Sequence, residues 1–319
     1  MSNLQPLDVS VCILNRDKKA LLKACLESCL AEFARSQLLG EVIVVDNASD
    51  DGSPEMVSEL FPEVHVIRNR ENVGFSAGNN QAIKVASGKY ILILNNDTVL
   101  LPASLQAMIG YMDSHPEVGL AGPKLLNPDG TIQQGAHRRL PRLADTVMQL
   151  FWVHHIWPGN PIAKRAWHLD EALKEPCPLE QVAGCCMLLR REVIASVGAF
   201  DEDFYYFYED VDLCHRIQKS GYKAVYLPES EVMHHGGGTF RTIGFGDKAC
   251  MLTAGLLRYY KKHKGRNQFL ILKGIMFLAL AIRLPLVTIL SLSPGRQTRR
   301  RWRDAPASYL RIMKSLLVE

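Results

Sequence analysis

The 319 residues are 47% apolar and 22% charged, ordinary values for a globular chain with a real core, and long enough for one large α/β domain or a domain plus an appendage. A net charge of +4 is too small to argue for nucleic acid, although "RYYKKHKGR" (258–266) and "GRQTRRRWR" (295–303) crowd positive charge near the C-terminus. The eight cysteines form no C-x-x-C pair, which argues against a zinc cage, and several sit inside apolar runs as small hydrophobes of a reducing compartment.

The opening "MSNLQPLDVS" has no basic-then-apolar leader, which predicts a cytoplasmic protein. From there strands and helices alternate. "DVSVCIL" (8–14) predicts a strand, and "KALLKACLESCLAEFA" (19–34) has apolar residues at helical spacing. "EVIVVD" (41–46) is a second strand, followed by a helix over 53–61 with Ser53 as cap and Pro54 at its first position. "VHVIRN" (64–69), "SAGNNQAIKVA" (76–86) and "YILIL" (90–94) continue the alternation, with a further helix beginning near Pro102. Such an order predicts a mostly parallel sheet flanked by helices, whose ligands bind beyond the carboxyl ends of the strands.

Those ends are all polar: "NRD" (15–17), "DNASDDGS" (46–53), "NRENVGFSAGNN" (69–80) and "NNDT" (95–98). Each loop alone reads equally well as turn chemistry, but four on one edge of one sheet point to a ligand. Beyond residue 118 the pattern loosens. "NPDG" (127–130) is a turn between extended pieces, 140–180 reads as a loop-rich insertion, and 182–200 as a strand and a short helix. Residues 208–240 read as loop, helix, strand, turn and a His/Gly-rich loop. The apolar "FLILKGIMFLALAIRLPLVTILSL" (269–292) is interrupted by Lys273, Arg283 and Pro285, and its basic flanks suit a helix or hairpin lying in the inner leaflet. A core helix or an oligomer interface is the other reading of that segment.

In order and spacing, "VVDNASDDGS", "NVGFSAGNN", "LILNNDT", "GCCMLLRR", "GAFDEDFYYFYEDVDLCHRI" and "VMHHGGGTF" resemble the family-2 inverting glycosyltransferases of the GT-A fold, above all their bacterial rhamnosyltransferase-like branch. The resemblance spans roughly residues 8–240. It implies a catalytic domain over 1–240, with a nucleotide-sugar half to about 125 and an acceptor half beyond, and a helical, membrane-associating extension over 241–319. The donor would be a nucleotide-diphosphate sugar, dTDP-rhamnose first and UDP-sugars next. The acceptor would be a glycan or a polyprenyl-linked glycan, as in surface-polysaccharide assembly.

Residue by residue, the resemblance makes Asp97 the last acid of the family's Asp-x-Asp metal motif, which here reads Asn95-Asn96-Asp97 and so carries one charge less. His234 would complete the shell of a Mg²⁺ or Mn²⁺ ion, a mixed oxygen and nitrogen site. Asn15, Asp46, Asn47, Asn72, Gly74, Asn80 and Asn96 would line the nucleotide-sugar pocket. Asp210 falls where the family has its general base, with Glu209 as the alternative. Each assignment has a structural rival. Asp97 could cap the next segment, Asp46 could close an Asx-turn, and acids at 209, 210 and 212 suit a helix amino end. Arg138 and Arg139 are read as solvated. A non-catalytic nucleotide-sugar scaffold is the second reading of the chain. A nucleotidyltransferase would want glycines after the first strand, which "NRDKKA" lacks.

Overall fold

The computed structural model describes residues 6–134, 136–151, 153, 157, 174–236, 244–293 and 302–318; part of the 140–180 insertion, together with Gly237 and Gly238, lies outside them. The chain divides into two compact units. One comprises residues 1–140, 167–205 and 209–236, and the other 141–166, 206–208 and 237–319.

Among the described residues, the first unit is built on a nine-stranded sheet. Its strands are β1 (Val9–Asn15), β2 (Gly40–Asp46), β3 (His65–Arg68), β4 (Tyr90–Asn95), β5 (Thr98–Leu100), β6 (Val118–Leu126), β7 (Cys177–Leu179), β8 (Cys186–Arg190) and β9 (Lys223–His234), in the order β3-β2-β1-β4-β8-β6-β9-β5 with β7 paired to β9. The first four strands of that order are parallel, as the alternating pattern predicts. β8 then enters antiparallel to both β4 and β6, so β6 and β9 again run in the β4 direction. Residues 90–94 and 186–190 are buried throughout, which explains why these strands read as unbroken apolar runs.

Around the sheet lie α1 (Lys19–Ser36), α2 (Ser53–Leu60), α3 (Phe75–Val85), α4 (Ser104–Ser114), α6 (Arg191–Val197) and α7 (Glu209–Lys219), while α5 (Leu143–Leu150) belongs to the second unit. Two helix starts differ from expectation. Ser53 is the first residue of α2 rather than its cap, because Gly52 takes the left-handed position before it and Asp51 accepts the Ser53 N–H at 3.0 Å. α4 begins beyond Pro102, and its exposed amides are met from α1. The buried Glu32 carboxylate accepts Ala103 N–H at 2.9 Å and Leu105 N–H at 3.1 Å.

The second unit consists of α5 with α8 (Phe245–His263), α9 (Gly265–Ser291) and α10 (Ala305–Val318). α8, α9 and α10 pack on one another and α9 also meets α5. Tyr259, Tyr260, Leu272, Met276 and Val287 fill the contacts. α9 is continuous through Pro285, so the apolar segment forms no hairpin. Ile271, Leu278, Ile282 and Ile289, half or more exposed, repeat at helical spacing along one side of it. α9 is long and apolar enough to cross a membrane, by length and composition.

Candidate functional site

Parallel pairing brings three strand ends abreast. Asn15 pairs with Asp46 and Leu14 with Asn95, so β2, β1 and β4 stop on one line. Asn15, with no exposed surface, ties that line together. Its amide nitrogen donates to Asp46 Oδ1 at 3.0 Å and Ser49 Oγ at 3.2 Å, and its oxygen accepts Asn96 Nδ2 at 2.8 Å. The buried Asp46 carboxylate also accepts Ser49 Oγ at 2.6 Å and Ser49 N–H at 2.9 Å. An Asx-type turn is therefore present at Asp46, and one lone pair on Oδ2 is what it retains for anything else.

Asn47 is buried beside it and bonds the next loop. Its Nδ2 donates to Asn72 Oδ1 at 3.1 Å and the Gly74 carbonyl at 3.2 Å, and its Oδ1 accepts Asn69 Nδ2 at 2.8 Å. Gly74 stands at φ 90°, ψ 179°, a conformation open essentially to glycine, and a β-carbon there would lie 2.6 Å from the Tyr205 ring. The Phe75 N–H at the start of α3 donates to the Tyr205 carbonyl at 3.0 Å. Asn80 stands apart from Asp46 and Asn47. Its side chain donates to the Phe200 carbonyl and to Glu202, both at 2.9 Å, and accepts the Phe200 N–H at 3.0 Å. The stretch "NVGFSAGNN" thus clamps the 200–205 loop, with Asn80 holding Phe200 and Glu202.

Asp97 follows β4 and His234 ends β9, which pairs with β5 in a register setting Thr98 opposite His234. His234 Nε2 lies 3.3 Å from Asp97 Oδ1, and its Nδ1 lies 2.7 Å from Gln133 Oε1. Burial opposes the Asp97 charge and is the largest single influence, but the hydrogen bond and charge of His234, with the Asp97 backbone and His235, together hold the carboxyl below its usual range. Burial likewise opposes a charge on His234. Cys185 and Asp97 prevail, and the imidazole is pushed up to about 10.

Asp210, in the first turn of α7, is half-buried and well held. Oδ2 accepts the Gly184 N–H at 3.1 Å and Gln181 Nε2 at 3.3 Å, while Oδ1 accepts the Val211 N–H at 2.8 Å. Burial raises its affinity for a proton against these donors. Glu209 is buried, with Oε2 meeting no hydrogen-bond partner; burial, and after it the Asp210 charge, push its carboxyl well above the usual range. Asp212 separates from the other two. Fully buried, it pairs with Arg216 at 2.7 Å, and that guanidinium donates to the carbonyls of Val197, Gly198 and Ala199 at the carboxyl end of α6.

A continuous run of contacts joins the three acids singled out above. Asp46 is bonded to Asn15 and Asn15 to Asn96, the neighbour of Asp97. Asp97 meets His234, and Cys185 lies close enough to His234 to favour its charge. The N–H of the preceding Gly184 holds Asp210. The run follows the carboxyl ends of β2, β1 and β4: β8 starts at Cys186 opposite Leu94 at the end of β4, and Thr98, just past β4, pairs with His234 at the end of β9.

A family model described as glycosyl transferase family 2 matches residues 8–198. The chain belongs to glycosyl transferase family 2. Within it the chain is similar to rhamnosyltransferases. It is 30% identical over 205 residues to the N-acetylglucosaminyl-diphospho-decaprenol L-rhamnosyltransferase of Mycobacterium tuberculosis (strain CDC 1551 / Oshkosh), a match covering 61% of this chain and 66% of that one, just under two thirds. To rhamnosyltransferase WbbL of Escherichia coli (strain K12) it is 24% identical, over 51% of this chain and 61% of that one. Among solved structures, the mannosyltransferase PcManGT of Pyrobaculum calidifontis, in complex with GDP-Man and Mn²⁺, superposes with a TM-score of 0.54 at 18% identity, over 99% of this chain and 90% of that chain. The fold is GT-A. The residues matched by the glycosyl transferase family 2 model end before Glu209, Asp210 and His234, so these three rest on geometry.

Asp97 and His234 suit a divalent ion of the Mn²⁺ or Mg²⁺ kind. The Gln133 amide oxygen takes the Nδ1–H, which orients the ring, and a bound ion would take the place of the Nε2 proton that now faces Asp97 Oδ1 at 3.3 Å. Among the described residues no group of three or more His, Cys, Asp or Glu completes a cage, so substrate phosphates and water would supply the other positions. Gln181, Gln133, Ser49 and His137 were absent from the sequence expectations. His137 is buried, with its ring nitrogens at 2.7 Å from the Pro123 carbonyl and 3.2 Å from the Ala183 N–H, and so steadies the loop carrying Gln181. Single glutamines far from any motif leave no signal in sequence.

Proposed function

We propose that this family-2 glycosyltransferase moves a hexose, rhamnose first, from a nucleoside-diphosphate donor to a hydroxyl of a glycan or polyprenyl-linked acceptor, with inversion at the anomeric carbon. The observation that carries this reading is the contact path from Asp46 through Asp97 to Asp210. Asp46, Asn47 and the Asn72–Gly74 turn form the nucleotide side, and Asn15 and Asn96 keep Asp46 in register with Asp97. Asp97 and His234 would hold Mn²⁺ or Mg²⁺, which when bound neutralises the negative charge growing on the departing diphosphate. Asp210 takes the proton of the acceptor hydroxyl. The freed oxygen forms its bond to the anomeric carbon from the face opposite the diphosphate, and the breaking C–O bond leaves its electron pair on the nucleotide. Burial, and after it the Asp210 charge, raise the proton affinity of Glu209, whose Oε2 has no hydrogen-bond partner, and this disfavours a second negative charge beside Asp210.

The names of the relatives support the substrate classes: one acts on an N-acetylglucosaminyl-diphospho-decaprenol and both transfer rhamnose. The exposed aliphatic side of α9, between basic segments, suits a protein resting on the inner face of the cell membrane, where a lipid-linked acceptor is found. The test is a panel of nucleotide sugars, dTDP-rhamnose and UDP-sugars among them, with and without Mn²⁺ or Mg²⁺, read for donor binding and hydrolysis. Metal-stimulated turnover of one donor is expected. Donor binding without turnover under every condition would select the scaffold reading, and absence of any donor binding would overturn both.

A further inference from the structure

We propose that Gln181 is a positioning residue for the base, holding Asp210 so that Oδ1 is the oxygen that receives the acceptor proton. The inference rests on Asp210 being the base. An ionised carboxylate offers about four lone-pair sites. Two on Oδ2 are taken by Gly184 N–H and Gln181 Nε2, and one on Oδ1 by Val211 N–H. The remaining site is on Oδ1, and that is where the acceptor hydroxyl would bond.

Gln181 is built for this task. It is 8% exposed, and its carbonyl accepts the Arg138 N–H at 3.3 Å, so its backbone is fixed on one side while its amide reaches Asp210 on the other. The two Oδ2 donors do different work. Gly184 is backbone and is set by the strand that follows it. Gln181 is the one side chain among the three donors, and hence the one that sequence change can tune. Its N–H stabilises the anion, and so lowers the pH at which the base becomes free to act. The other charged or titratable groups bearing on Asp210 are Glu209 and Cys214 on its own helix and Arg138 on the facing loop. None of the three replaces a hydrogen bond to Oδ2.

Gln181→Met keeps the side chain's bulk and removes the donor. The expected result is a pH–rate profile whose acid limb lies about one pH unit higher, a roughly tenfold loss of kcat on that limb, recovery on the alkaline plateau, and an unchanged donor KM. Gln181→Glu keeps the hydrogen-bonding length but adds a like charge, and is expected to move the limb further the same way. Donor binding and a melting curve confirm that each variant is folded. A Gln181→Met limb that overlays the parent's, or an equal loss at every pH with a raised donor KM, would overturn the proposal while leaving the base in place. An Asp210→Asn variant that keeps the parent's plateau rate would instead overturn the base reading itself.

Discussion

At the scale of single residues, two neighbouring carboxylates have opposite surroundings. Asp210 has three N–H donors and some exposure, whereas Glu209 is buried with a bare oxygen. Two outcomes are expected from this contrast. Asp210→Asn should cut kcat by about 10²–10⁴-fold with donor affinity retained, measured by product formation and calorimetric donor titration. The Glu209 carboxyl is raised by burial, so the folded state holds its proton more tightly than the unfolded chain does. The contribution of Glu209 to stability is therefore greatest below the ordinary carboxylate range and declines as pH rises from there toward the raised value. Glu209→Gln mimics the protonated form, so its Tm should exceed the parent's at pH 8 and match it near pH 4. A Tm difference independent of pH would contradict this account. Asp97→Asn and His234→Ala should each abolish stimulation by Mn²⁺, seen as a flat metal titration of activity.

At the scale of elements, joints between segments matter more than propensity. α4 starts without a capping side chain of its own and takes its acceptor from α1. Glu32→Ala leaves two amides without a partner and should lower stability by roughly 1–3 kcal/mol in a denaturant melt. In the second unit, Gly255 of α8 lies against residues 206–208. A β-carbon there would sit 2.7 Å from the Phe207 carbonyl, and Phe207 and Tyr208 already hold φ of 70° and 72°, costly for aromatic residues. Gly255→Val should thus lower Tm by several degrees, the effect of about 1–3 kcal/mol of overpacking. The outward side of α9 makes a separate case. Leu278→Glu with Ile282→Glu places charges on its exposed face and should release the protein from anionic vesicles without lowering Tm, read by flotation. Unaltered flotation would remove the lipid reading of that face.

For the molecule as a whole, the sequence was most legible where burial is two-sided and turns are polar. β1, β2 and β4 show as apolar runs and their ends as Asn/Asp clusters, and their order implies a mostly parallel sheet; the GT-A fold was implied by the resemblance of the motifs. The antiparallel entry of β8 between β4 and β6 was not legible, because an apolar strand carries no mark of its direction. Within the site, acids were readable because strand tips and helix starts announce them. Their helpers were not: Gln181 and Gln133 act across 29 and 101 residues of sequence, distances that only folding closes. The division into units was hidden for a related reason. The second unit draws on 141–166 and 206–208 as well as on the C-terminal residues, so the chain passes back and forth between the two. No single cut can therefore detach a tail. A truncated form ending near residue 240 would strand the apolar side of α5 and the 206–208 turn without the helices that cover them, and insolubility of such a fragment would be a matter of orphaned surface, with no bearing on where the enzyme resides in the cell.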